Sequence, residues 1–124
     1  MADILLVDDS ELARFLLRQI LISDGHKIVG EAADGEECIQ KVRELSPQMV
    51  ILDLIMPKMR GIDTLKEIRT INPDVKVVIC TGDHQEFSVR DAVKFGARGY
   101  IIKPFNKVAV LEEVRDIMNE APSR

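Results

Sequence analysis

Tryptophan is absent from this 124-residue chain and tyrosine occurs once, at Tyr100, so aromatic content is only 4%. Long apolar runs are missing too: none exceeds five residues, far short of the ~20 needed to span a bilayer as a helix. The start, Met1-Ala2-Asp3-Ile4, lacks the charged-then-apolar pattern of a secretory signal, so no membrane attachment and a cytoplasmic setting are expected. No basic run or stripe is present and the formal net charge is −4, which argues against nucleic acid as a partner. The two cysteines, Cys38 and Cys80, are far apart and in apolar surroundings, as expected of reduced core thiols rather than a disulfide or a metal cluster. His26 and His84 have no metal-ligand spacing and are expected in surface or loop roles. A glycine-rich phosphate loop, a GxSxG elbow, an HExxH helix and a CxxC pair are all lacking. Nucleotide hydrolysis, serine chemistry and zinc binding therefore have no support.

What is present is ordinary in bulk and specific in pattern. Hydrophobic residues make up 46% and charged residues 31%, a usual balance for a globular domain. The length, with no linker, repeat or low-complexity stretch, predicts one domain over 1–124. Strand-like and helix-like segments alternate throughout, the pattern of parallel βαβ units. Ile4-Leu5-Leu6-Val7, Met49-Val50-Ile51-Leu52, Val75 to Cys80 and Tyr100-Ile101-Ile102 read as buried strands, with Lys27 to Glu31 as a less apolar strand nearer an edge. Between them, Ser10 is placed to cap a helix whose inward face is expected to be Leu12, Phe15, Leu16, Gln19 and Ile20, stopped at Asp24-Gly25. Asp34 and Glu37 form a capping-box-like start for a helix through Ile39, Val42 and Leu45, ended by Ser46-Pro47. Further helices carry Ile62, Leu65 and Ile68, then Val89, Ala92 and Val93, then Val110, Leu111, Val114, Ile117 and Met118, with fraying expected from Ala121 to Arg124.

Four of these strands end on chemistry: Asp8-Asp9, Asp53, Thr81 and Lys103. In an open parallel sheet the C-terminal strand ends share one edge, where ligands bind. Residues distant in sequence would there gather three carboxylates, a hydroxyl and an ammonium. Magnesium favours oxygen ligands and keeps several waters, and an aspartate can act as a nucleophile that forms an acyl phosphate. Each fragment has a plainer reading. Asp8-Asp9 can simply precede a helix N-terminus, Thr81-Gly82 can end a strand and cap a helix, and Lys103-Pro104 can be a turn, with a cis bond as one option. Asp53 is harder to set aside, because a carboxylate closing a buried strand needs compensation. Without a metal its charge is expected to be opposed by Asp8 and Asp9 and supported by Lys103. Met56 and Met59 are expected to pack in the loop after Asp53.

The chain resembles the receiver domain of two-component response regulators, especially stand-alone receivers of the CheY type. The resemblance covers residues 2–119. It rests on Ile4 to Ser10 (ILLVDDS), Asp53 to Gly61 (DLIMPKMRG) and Phe95 to Phe105 (FGARGYIIKPF), with Thr81 between them. It implies a doubly wound α/β fold, a five-stranded parallel sheet of order 2-1-3-4-5, for which CheY is itself a standard example. By resemblance, Asp53 accepts phosphate from a histidine kinase. Asp9 and Asp53 bind Mg2+ (Mn2+ being a plausible substitute) through carboxylates, Ile55 through its main-chain carbonyl, and Asp8 through water. Lys103 pairs with the phosphoryl group and Thr81 closes onto it. Tyr100 is the switch aromatic, altering a helix 4–strand 5–helix 5 face that meets a downstream protein, in chemotaxis or another relay, with a phosphatase as a further partner and a monomer as the expected state. Two residues depart from the family pattern. Ile55 stands where many relatives carry a polar side chain, and Arg60 replaces a common acidic residue. Ile55 is expected to hinder attacking water, and Asp83 to bear on that same water.

The competing reading from another class is a magnesium-dependent phosphohydrolase like the haloacid dehalogenases. That group carries an Asp-x-Asp motif after its first strand, whereas this chain has adjacent aspartates and no residues for an enclosing cap. A permanently-on interaction module and a receiver excised from a multidomain regulator are the remaining alternatives.

Overall fold

The computed structural model describes residues 1–56, 58–82 and 86–120, excepting the side chains of 86–89. The expectations for Pro57, Asp83, His84, the Val89 side chain and residues 121–124 lie outside the described residues. Ten elements alternate: β1 (Asp3–Val7), α1 (Glu11–Ser23), β2 (Lys27–Ala32), α2 (Gly35–Leu45), β3 (Met49–Asp53), α3 (Gly61–Ile71), β4 (Lys76–Thr81), α4 (Glu86–Lys94), β5 (Gly99–Ile102) and α5 (Lys107–Met118). The strands form one sheet in the order β2-β1-β3-β4-β5, every pairing parallel, as expected.

Successive side chains on a strand point to opposite faces, so each apolar run feeds two cores. Leu5, Val7, Val50, Leu52, Val77 and Ile79 pack on one face with Ile39 and Val42 of α2, Leu65 and Ile68 of α3, and Ala92 of α4. Ile4, Leu6, Met49, Ile51, Val78 and Ile101 pack on the other with Leu17 and Leu21 of α1 and Val110, Val114 and Ile117 of α5. This is why the strands read as continuous apolar runs and not as alternating ones. Met56 and Met59 pack at the margin of the first core, as expected, and both cysteines are free and fully buried.

Local chemistry sets the helix ends. Ser10 Oγ accepts from Ala13 N at 3.1 Å, and the Asp34 carboxylate accepts from Glu37 N at 2.8 Å. Glu37 reaches back to Ala33 N at 2.7 Å, one residue earlier than a strict capping box. Ser46 closes α2 at φ 45 and Gly96 follows α4 at φ 103. Asn106, not anticipated, caps α5 by accepting from Ala109 N at 3.0 Å.

The orientation of α1 corrects the sequence reading. Its buried residues are Ala13, Leu17 and Leu21, while Leu12, Phe15 and Leu16 are 66%, 49% and 42% exposed. The segment ELARFLLRQILIS is apolar around most of its circumference, so spacing alone permits two inward faces. Two interactions favour the observed one. Ala13 allows close approach to the sheet, and Arg14 and Arg18 both reach Glu31 of β2, at 2.9 Å and 2.7 Å. Leu45 and Val93, also expected inward, are exposed for the same reason: neighbouring positions (Cys38 and Val42; Ala92) take the inner face. His26 sits in the α1–β2 connection, but it is buried rather than superficial, its Nδ1 accepting from Ala2 N at 3.1 Å.

Candidate functional site: an acidic cluster at the strand ends

Strand register assembles the site. Val7 of β1 pairs with Leu52 of β3, so Asp8 and Asp9 leave the sheet beside Asp53. Asp53 pairs with Cys80, which puts Thr81 one step further along β4, and Thr81 pairs with Ile102, the residue before Lys103. Carboxylate oxygens of Asp8, Asp9 and Asp53 all lie within 4.8 Å of one another. Asp8, Asp53 and Thr81 are buried, whereas Asp9 is exposed.

Lys103 bridges the two buried acids. Its Nζ is 2.8 Å from Asp8 Oδ2 and 3.3 Å from Asp53 Oδ2, so in this arrangement it stands nearer Asp8 than the expected phosphoacceptor. The Lys103 amide donates to the Thr81 carbonyl at 2.9 Å, tying the two strand ends together, and the Lys103-Pro104 bond is cis. Asp53 Oδ1 accepts from Ile55 N at 3.1 Å, and Asp8 Oδ1 accepts from Ser10 N at 2.9 Å. Arg14, which the sequence reading did not single out, donates to the Asp8 carbonyl. Only its place one turn into α1 could have suggested this.

Gly61 holds the loop that follows Asp53. Its amide donates to the Leu54 carbonyl at 3.1 Å. A Cβ there would run into the Leu54 Cα and lie 2.7 Å from Leu54 O and 2.9 Å from Asp53 O. The loop can fold back on the strand exit only because that side chain is missing. Arg60 pairs with Asp63 at 3.0 Å. With the exposed Ile55 it lines a groove of about 530 Å³ completed by Leu54, Met56, Ile62, Lys66, Asp91 and Phe95.

The electrostatics follow from burial. Desolvation pushes Asp53 up to about 6, with the Asp8 charge adding to the rise and the Ile55 N–H and Lys103 opposing it. Burial pulls Lys103 down, but Asp8 and Asp53 outweigh it and hold the ammonium above its ordinary value. Of the expected contest, the part between Asp8 and Lys103 is present at Asp53, without a contribution from Asp9. One atom stays unsatisfied: Asp8 Oδ2 is buried and has no aligned hydrogen bond despite its nearness to Lys103. A buried oxygen in that condition, inside an all-carboxylate donor set, fits a hard divalent cation.

The sequence pattern of the response regulator receiver domain matches residues 4–115. The chain belongs to that family. The receiver is 39% identical over 114 residues to the chemotaxis protein CheY of Thermotoga maritima, covering 92% of this chain and 95% of the relative. It is 40% identical over 118 residues to protein CcdB of Bacillus subtilis, covering 95% and 98%. Among solved structures, the CheY of a CheX–CheY–beryllofluoride–magnesium complex from Borrelia burgdorferi superposes with a TM-score of 0.92 and 34% identity, covering 95% of this receiver and 90% of that chain. A receiver of this kind is a signalling phosphoacceptor in two-component systems, not an enzyme acting on a foreign substrate. No described helix is long and apolar enough to cross a membrane.

Proposed function

We propose that Asp53 accepts a phosphoryl group from the phosphohistidine of a histidine kinase and that the chain works as a phosphorylation-controlled switch. The observation that carries this is the meeting of Asp8, Asp9 and Asp53 with Lys103 spanning two of them. A carboxylate oxygen of Asp53 attacks phosphorus, the P–N bond to the imidazole breaks, and the imidazole leaves with its electron pair and takes up a proton. Asp9 and Asp53 by their carboxylates, Ile55 by its main-chain carbonyl and Asp8 through water are the groups that would hold Mg2+, or Mn2+ in its place. When bound, that ion neutralises charge on the transferring group. Lys103 moves from its present place between two acids to pair with the phosphoryl oxygens, and the Thr81 hydroxyl closes onto them.

The output is a shift between two conformations, and phosphate contributes only the difference in its affinity for them. Tyr100, 46% exposed, is the aromatic that turns inward as Thr81 moves, and the face made of α4, β5 and α5 changes its affinity for a downstream protein. Likeness to CheY supports chemotaxis as the pathway and a protein partner of the kind seen in the CheX–CheY complex; a cytoplasmic setting, a monomer and control by a phosphatase complete that reading, and another relay is the second one. Amide NMR with magnesium, before and after beryllofluoride, tests the reading. Shifts at Asp53, Thr81 and Lys103 that extend to Tyr100 and α5 are expected, and a pocket that does not respond overturns it.

A further inference from the structure

β5 is an edge strand: it pairs only with β4. Outward amides of such a strand need an acceptor or stay open to another chain. Here the acceptor comes from α5, because Tyr100 N donates to Glu113 Oε2 at 3.0 Å. Gly99 makes that approach possible. A Cβ on Gly99 would collide with the same Glu113 oxygen and lie 2.8 Å from Ile117 Cδ1. Two features of the sequence, an acid on α5 and a missing side chain on β5, therefore hold one carboxylate against the strand edge.

That carboxylate stands in a groove of about 470 Å³ lined by Tyr100, Ile101, Ile102, Pro104, Asn106, Ala109 and Val110. Among the described lining residues Glu113 alone carries a charge. Its Oε1 takes no hydrogen bond and no ion pair from another described residue. Tyr100 and Ile102 present apolar surface beside it, 46% and 38% exposed.

We infer that Glu113 sets the partner chemistry of this face: the groove takes an amphipathic protein segment whose apolar residues lie on Tyr100, Ile102 and the exposed Pro104 and whose Lys or Arg pairs with the open carboxylate oxygen. The other oxygen remains on the Tyr100 amide, so recognition requires no break in the strand edge. An acidic segment is rejected by the same group, which makes Glu113 a discriminator as well as an anchor. This rests on the assignment of the α4, β5 and α5 face as the output surface.

The test uses two synthetic amphipathic peptides alike in their apolar residues, one with lysines on its polar side and one with glutamates. Each is titrated into the isotope-labelled full chain with magnesium, with and without beryllofluoride. The lysine peptide is expected to shift the amides of Tyr100, Ile102 and Glu113 and to bind about fivefold more tightly than the glutamate peptide. Glu113→Gln keeps an acceptor for the Tyr100 amide and should bring that ratio close to one, and Glu113→Lys should reverse it. An unchanged ratio in Glu113→Gln, no binding of either peptide, or shifts on this face from dilution alone, which would mark a second copy of the chain as the occupant, overturns the inference. A beryllofluoride-insensitive pocket would overturn the phosphoacceptor reading instead, while the peptide ratio without beryllofluoride still decides the role of Glu113.

Discussion

At the N-terminal end of the sheet Asp24 holds Arg115 through both carboxylate oxygens. Lys76 Nζ donates to the carbonyls of Ile117 and Met118 at 3.0 Å and 3.2 Å, and Arg69 donates to the Val75 carbonyl at 3.2 Å. At the C-terminal end two buried aspartates share one lysine, and one of their oxygens has no aligned hydrogen bond. The same alternating fold produces both ends. What differs is how charge is shared: Arg115, Lys76 and Arg69 each have acceptors of their own, whereas Asp8 and Asp53 divide Lys103 between them. The paired end is closed and holds helices to strands; the underpaired end stores an electrostatic conflict that an outside ion and a phosphoryl group can relieve.

The largest effects are expected where that conflict is removed. Asp53→Asn should abolish phosphorylation by a labelled kinase or a small phosphodonor and at the same time stabilise the metal-free protein by about 2 kcal/mol at pH 7.5. Burial raises Asp53 from 3.8 to about 6, so between those values the native state binds its proton more tightly than the unfolded chain does. Wild-type stability contributed by this group therefore falls as pH rises through that window. The gap between variant and wild type should be near zero below pH 4 and complete above pH 6. Urea melts with a chelator at several pH values read it, and a gap that does not depend on pH would show that Asp53 is not held in its protonated form by the site.

Gly61→Ala should cost about 2 kcal/mol by forcing the loop off the Leu54 and Asp53 backbone, and it should slow phosphorylation with it, since Ile55 N leaves Asp53. A melt superimposable on wild type would mean that the loop yields without strain. A smaller effect is expected at Ile55, whose side chain is 69% exposed at the mouth of the site. Ile55→Asn should speed loss of labelled phosphate by roughly fivefold, about 1 kcal/mol in the barrier. Unchanged or slower decay would show that Ile55 does not obstruct water.

His26 lets the closed end be read by the same titration, with opposite sign. Burial holds it below its ordinary value, while Asp24 raises it and the N-terminus and Arg115 lower it. Its Nδ1 is already an acceptor for Ala2 N. The unfolded chain then binds the proton more readily, so this group's contribution is present above about pH 6.5 and lost as pH falls through that value. His26→Gln should flatten the acid-side decline while changing stability at pH 7.5 by less than about 1 kcal/mol. An unaltered decline would assign it to another group.

Much of the acidic end was legible because its residues terminate apolar runs. Strand ends in a parallel sheet must share an edge, so the order of Asp8, Asp53, Thr81 and Lys103 along the chain was enough to bring them together. Boundaries were close as well: Asp24-Gly25, Ser46 and Gly96 stop helices through backbone conformations that local chemistry favours. Contacts that depend on rotation about an axis were not legible. Spacing could not say that Lys103 would stand nearer Asp8 than Asp53, that His26 would turn inward onto Ala2, or that Glu113 would reach the Tyr100 amide. Each depends on how a helix or connection sits against the sheet, which many long-range contacts decide together.

The inner face of α1 is the sharpest case, and a pair of substitutions separates the two possible faces. Leu17 is 2% exposed and Leu12 is 66% exposed, though both are leucines five positions apart on one helix. Leu17→Ala removes packing from the second core and should cost about 2–5 kcal/mol. Leu12→Ala removes almost no buried area, leaves the helix propensity undiminished and should change stability by less than about 0.5 kcal/mol. Equal losses from the two would restore the face read from spacing. Phe15 and Leu16 share the outward face with Leu12, at 49% and 42% exposed. The smallest expected change in stability therefore falls where sequence periodicity pointed to the core.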